Sequence, residues 1–405
     1  MFKPELLAPA GDPEKLLFAY LYGADAAYIG AGDYSLRLNA GFSLEQIGDA
    51  IHLAHRLGKK LYLAVNSFMR EGDLEALPEY LSQLAALEPD AMIISDPAVL
   101  TLARQYAPQV PLHISTQANT TNWLSARFWR EQGASRIILA RELSLAEAGK
   151  ISIQAGVETE IFIHGAMCIS YSGRCLLSSF MTGRSANQGN CSHPCRYHYA
   201  LMEEKRPGEF FPIEEDDRGS YIMNSRDLCL IDYIPQLCSG QFASLKIEGR
   251  NKSAYYVANA VRIYRAAIDA YAADPNHYSC DPQWHQELAK ISHREYTAAF
   301  AEGQAASSSM RYDDGGYIRE YDFTAIIKEI SDSMLLLEQR NHIAVGDQLE
   351  IICPDGKNIP LTAVKIFDED GVPLSAARHP RQLIQIPNPG LPGLKPPLIV
   401  RRPVK

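Results

Sequence analysis

A chain of 405 residues is longer than one ordinary core and long enough for a barrel of roughly 250 residues with a smaller domain beside it. Hydrophobic residues at 46% and charged residues at 21% exclude a disordered chain, and no apolar run reaches the roughly 18 residues of a membrane span. A net charge of −9 excludes indiscriminate attraction to polyanions.

The N-terminus has no basic and long apolar stretch of a secretory leader, so the cytoplasm is the expected compartment and the eight cysteines are expected to be free of disulfides. In chain order, short apolar or β-branched runs at 5–8, 26–30, 60–66, 91–96, 112–115, 136–141, 158–165 and 244–248 predict eight strands. Between them, 13–22, 43–57, 74–87 and 122–132 carry apolar residues at three-and-four spacing, as amphipathic helices do. Strand and helix in alternation imply a parallel sheet, and eight repeats favour a closed (β/α)8, TIM-like barrel over an open sheet. The seventh and eighth strands lie too far apart for an ordinary connection, so an insertion separates them. Within it, 203–218 is acidic, contains Pro207 and Pro212, and reads as a surface loop.

Helices are predicted to follow the eighth strand at 253–271 and 282–301. From about residue 321 the pattern changes to strands with turn signals, at 323–330, 334–339, 348–352, 361–367 and 382–386, which suggests a small C-terminal β-barrel. The domain reading is therefore a barrel over 1–315, with a cysteine-rich insertion at about 166–240, and a small domain over 316–405. Residues 371–405 carry six Lys/Arg and no Asp or Glu, either a module that holds RNA or a solvated tail.

The insertion opens on Cys168, Cys175, Cys191 and Cys195, spaced C-x6-C-x15-C-x3-C just past the end of a predicted strand. Four thiols there can converge where a barrel places its chemistry. A four-cysteine set suits zinc or an iron–sulfur cluster. The wide first spacings lean towards a cluster, because zinc knuckles use closely paired cysteines and only the last pair here qualifies. The surroundings are Gly, Ser, Asn, Arg and His, which do not build the apolar core that would explain ordinary buried thiols. Cys229 is the reserve ligand. The radical-type C-x3-C-x2-C is absent, since His198 stands where its third cysteine belongs. Common hydrolase and nucleotide-binding motifs are also missing.

Residues 160–178, EIFIHGAMCISYSGRCLLS, resemble the signature of the collagenase-like peptidases, peptidase family U-32. The likeness extends to MFKPELLAPAG at the start, STQAN at 115–119, ILARELSL at 138–145, YIMNSRDL at 221–228, LKIEGRNK at 245–252 and the stretch 292–300, all similar to the branch that hydroxylates tRNA. The resemblance implies an enzyme that forms 5-hydroxyuridine at the wobble uridine in the anticodon loop of tRNA, dependent on prephenate and independent of oxygen. It also implies a [4Fe–4S] cluster on Cys168, Cys175, Cys191 and Cys195. Relatives act on ribosomal RNA or quinone precursors, so those substrates stay open. A collagenase-like peptidase and a non-catalytic, zinc-stapled RNA-binding protein also remain as alternatives.

A cluster held by four thiolates leaves no open iron, so it would transfer electrons, with an electron-donor protein as a further partner, or organise the fold. Prephenate carries two carboxylates, and arginine's planar fork suits them. Arg141, Arg174 and Arg250 are expected near the C-terminal mouth. Lys246 and Glu248 alternate on the eighth strand and are expected to face one side as an acid/base couple or a salt bridge. His164, at the end of the seventh strand, is a candidate proton carrier or a core histidine. Gln117 and Asn119 can read a uracil edge, because their amides both donate and accept. Tyr171 or Tyr197 can stack on an extruded base.

Overall fold

The computed structural model describes residues 2–35, 41–168, 170–197, 224–303, 310–311, 317–391 and 393–404, with the short pieces 200–202, 205, 207–208 and 210–212. Most of the acidic stretch 203–218, and His198, lie outside the described residues.

All eight expected strands form. They are β1 (Glu5–Pro9), β2 (Ala26–Ala31), β3 (Lys60–Val65), β4 (Ala91–Ile94), β5 (Leu112–Ile114), β6 (Arg136–Ile138), β7 (Glu158–Ala166) and β8 (Ser244–Ile247). Each is parallel to the next, and β8 pairs with both β7 and β1, which closes the barrel. The strands are buried on both faces, as β2 is along its whole length, and so read as continuous apolar runs rather than alternating ones. Helices begin where the sequence supplies caps. Ser43 and Ser144 form capping boxes with Gln46 and Glu147, and Asp12, Asn122 and Ser253 cap three others.

The lower half of the barrel interior is filled by paired charges. Tyr62 donates to Glu5 at 2.7 Å, Arg136 bridges Glu5 at 2.7 Å and Glu160 at 3.3 Å, and Lys246 completes the chain on Glu160 at 2.9 Å. Glu160 is fully buried and Lys246 nearly so, which is tolerable only because each charge has a partner.

The insertion leaves the C-terminal end of β7. On its way back, the short strand Asp227–Cys229 runs antiparallel to β7 and parallel to Tyr296–Thr297. The second helix after the barrel ends at Ala289, well before the predicted 301. Beyond it, buried Arg294 pairs with Asp227 at 2.6 Å, which pulls 296–297 into the sheet instead of continuing the helix.

Among the described residues, the C-terminal region is an eight-stranded antiparallel sheet with a separate two-stranded one, over its own apolar core. Its central strands are β9 (Tyr321–Ile330), β10 (Met334–Gln339) and a final strand, β11 (Leu398–Pro403), paired to β9. That final strand corrects the solvated-tail reading for Arg401 and Arg402, while Arg378, Arg381 and Lys395 are exposed. Arg401 is fully buried and bonds Glu287 of the helix Pro282–Ala289 at 2.8 Å, Tyr255 at 3.2 Å and Glu350. Arg402 is held by Asp347 at 2.5 Å. Arg401 thus fastens the small sheet to the barrel, with Tyr22 adding a bond to the Ile352 carbonyl at 2.7 Å, whereas the Arg402 pair lies within the C-terminal domain. Among the described residues, no helix is long and apolar enough to cross a membrane.

Candidate active site

The C-terminal strand ends frame a chamber of about 420 Å3. Tyr28, Phe162 and Lys246 form its floor, and Asn66, Ser115 and Gln117 line one wall. The insertion closes over the top and brings all four expected thiols, Cys168, Cys175, Cys191 and Cys195, to the same space. Cys168 is exposed and the other three are half-buried.

Two glycines permit this close approach. Gly165 has φ +110°, and a Cβ there would meet the Glu248 carbonyl oxygen at 2.5 Å; Gly173 has φ +75°, and its Cβ would meet the Gln117 carbonyl oxygen at 2.2 Å. Side chains then fix the insertion on the barrel. Gln117 Nε2 donates to Asn187 Oδ1 at 3.1 Å, Asn187 Nδ2 donates to the Cys175 carbonyl at 3.1 Å, and the Ser172 N–H donates to Glu142 at 2.9 Å.

The donor set fits a metal centre, with four thiols and no carboxylate between residues 161 and 202 to compete with them. No three of these thiols lie within 4.8 Å of one another. Tetrahedral zinc, with bonds of about 2.3 Å, would hold its sulfurs roughly 3.8 Å apart. Cys229 is not a reserve ligand. It lies outside the chamber against Tyr264, 3.7 Å from the hydroxyl, and burial pushes its thiol up to about 11.

Two of the three expected arginines line the chamber. Arg141 lies 4.2 Å over the Phe162 ring and donates to the Ala166 carbonyl at 2.6 Å. Arg250 is buried, donates to Ser35 at 2.8 Å and sits 5.6 Å over Tyr28. Arg174 is exposed on the insertion and does not line the chamber. Gln117 lines it, whereas Asn119 does not: Asn119 closes a 3-10 turn with φ +54° and turns away.

Lys246 and Glu248 both reach the chamber, but the ion pair of Lys246 is with Glu160 on the neighbouring strand. Burial lowers the Lys246 pKa, against the opposing pull of Glu160. His164 is not part of the chamber. A bulge at its pairing with β8 sets Lys246 opposite Phe162 and Ile247 opposite His164, which breaks the alternation of β7. The imidazole therefore points outward among Tyr256, Tyr264 and Tyr296, with ring centroids 5.9, 5.4 and 5.3 Å away. Burial holds its pKa at about 3, with Asp227 pulling weakly the other way. It is a neutral core histidine rather than a proton carrier.

Sequence reasoning missed Tyr28, Phe162, Asn66 and Asn187. Inward parity on β2 and β7 would have flagged the two rings, and Asn66 is the first polar residue after an apolar strand. Nothing in the sequence marks Asn187. Tyr171 lines the chamber and is exposed; Tyr197 does not line it and donates to the Ser192 carbonyl at 2.8 Å. Two chamber hydroxyls have partners other than imidazole: Ser115 accepts from Asn66 at 3.1 Å and Ser172 donates to Glu142 at 3.3 Å.

Comparison with known proteins finds the same organisation. The chain is 40% identical to the tRNA hydroxylation protein P1 of Bacillus subtilis over 95% of this chain and 91% of that one. It is 36% identical to the tRNA hydroxylation protein P of Escherichia coli, over 96% and 94%. A 23S rRNA 5-hydroxycytidine synthase of Escherichia coli is 36% identical over 66% of this chain but only 39% of its own length. Residues 11–311 match the model of peptidase family U32 and residues 319–401 that of the family's C-terminal domain. With both models matched in order, and the four cysteines gathered at the mouth of the first, the chain belongs to peptidase family U32.

Proposed function

We propose that the chain is an RNA-modifying enzyme that hydroxylates C5 of the wobble uridine of tRNA, with a [4Fe–4S] cluster on Cys168, Cys175, Cys191 and Cys195 and with prephenate as co-substrate. The observation that carries this is the meeting of four thiols, two arginines and an aromatic floor in one chamber. The wide spacings between the first three cysteines favour a cluster over zinc, whose knuckles use closely paired cysteines. Relatives named for tRNA hydroxylation align over nine-tenths of their length, the rRNA relative over much less, which favours tRNA.

When bound, such a cluster supplies one-electron chemistry. The chain's own residues do the rest. Arg141 and Arg250 offer planar forks to the two carboxylates of prephenate, and each is steadied by an aromatic ring. Tyr28 and Phe162 give a flat base an apolar floor, and the Gln117 and Asn66 amides can pair with a uracil edge.

Nucleoside mass spectrometry of tRNA from a strain lacking this chain tests the reading. Loss of 5-hydroxyuridine derivatives is expected. If they persist while a ribosomal 5-hydroxycytidine disappears, the substrate is ribosomal RNA instead.

A further inference from the structure

The six-residue helix Leu177–Thr182, inside the cysteine-bearing insertion, is packed inside out. Its buried residue is Ser178, whose Oγ lies 2.9 Å from Ser192 Oγ and accepts from the Ser192 N–H at 3.0 Å. Those bonds seat the helix on the turn that carries Cys191 and Cys195. The outward residues are Phe180, 83% exposed, Met181 beside it, and Leu176 one turn earlier on the same face. A polar face turned in and an aromatic turned out is the reverse of what a free-standing helix needs, and marks a surface that another molecule covers.

Charge says which kind of molecule. Residues 161–202 contain three arginines and no carboxylate, in a chain whose net charge is −9. Arg174 precedes the helix and Arg184 follows it in the chain, both exposed, and Tyr171, also exposed, lines the chamber. Aromatic faces accept any base, and guanidiniums track phosphates, so this combination is that of single-strand RNA binding. We propose that Phe180, Met181 and Tyr171, flanked by Arg174 and Arg184, form a stacking platform for unpaired RNA bases on either side of the nucleotide that enters the chamber. The proposal rests on the RNA-modifying reading above.

The test uses the full chain, purified without oxygen, and a fluorescent tRNA anticodon stem-loop. Phe180→Ala and Arg184→Ala should each weaken binding about tenfold, and Phe180→Trp should restore it, because stacking needs a ring rather than this ring. Arg184→Ala should also flatten the slope of log affinity against log salt by about 0.7. Iron content and prephenate binding should match the parent, since neither residue lines the chamber. If the parent binds the stem-loop and Phe180→Ala binds it equally well, the platform is wrong and the RNA reading stands. If the parent binds no RNA, both fall. If Phe180→Ala alters only self-association in light scattering, the face belongs to a second copy and the proposal is overturned.

Discussion

Gln117 and Asn187 share a side-chain hydrogen bond of 3.1 Å that joins the loop after β5 to the insertion, and Asn187 hands the link to the Cys175 carbonyl. The wall of the chamber and the loop of a candidate metal ligand are thereby one unit. Two such bonds contribute about 2 kcal/mol. Asn187→Ala should therefore release iron to a chelator on the order of tenfold faster, followed by the absorbance near 400 nm, while the barrel melts close to the parent. Identical release would mean that the insertion is held by other contacts.

Arg141 and Arg250 should lose dicarboxylate binding on conservative change, because lysine cannot keep the fork or the flat contact with Phe162 and Tyr28. A roughly tenfold rise in the prephenate dissociation constant, about 1.4 kcal/mol, is expected by calorimetry for Arg141→Lys. Arg174→Lys, outside the chamber, should titrate like the parent. Equal constants for all three would remove the arginines from the small-molecule site.

The buried charges under the chamber make an asymmetric prediction. Glu160→Ala strands the buried Lys246, while Arg136 keeps Glu5 and Glu158, and should cost about 3–5 kcal/mol in urea unfolding. Lys246→Met leaves Glu160 with Arg136 and should cost clearly less. The reverse order would show that Lys246, not Glu160, holds the chain of charges together.

His164 should shape the acid limb of stability. Its folded pKa is depressed to about 3, so the unfolded chain takes up a proton near pH 6.5 while the folded imidazole stays neutral. The contribution is complete above about pH 6.5 and shrinks as pH falls, by about 1.4 kcal/mol per unit, until about pH 3. The stability of the parent relative to His164→Phe should therefore drop between about pH 7 and about pH 5 in denaturant titrations. Parallel curves would place the imidazole in water.

The barrel was legible because each unit repeats one physical pattern, a strand buried on both faces followed by a one-sided helix. The gathering of the thiols was legible for a related reason, since everything that leaves the upper end of β7 must cross the barrel mouth. The orientation of His164 was not, because one bulge reverses the alternation that sequence reasoning extends along a strand. Lys246 was given the wrong partner because local spacing favours Glu248, while Glu160 arrives from 86 residues away. The last strand was missed for the same kind of reason: Arg401 and Arg402 look solvated until Glu287, Glu350 and Asp347 are brought around them.

The chain of charges from Glu5 through Arg136 and Glu160 to Lys246 makes the barrel solid beneath its chamber. Among the described residues, the chamber floor is therefore closed from beneath and is reached from the upper end of the barrel. On the proposed function, a small acid that must reach the floor would be seated before a polynucleotide settles across the rim, and its remnant would depart only after that polynucleotide lifts away. Such a well imposes a queue, and excess RNA added first should slow the earliest turnovers.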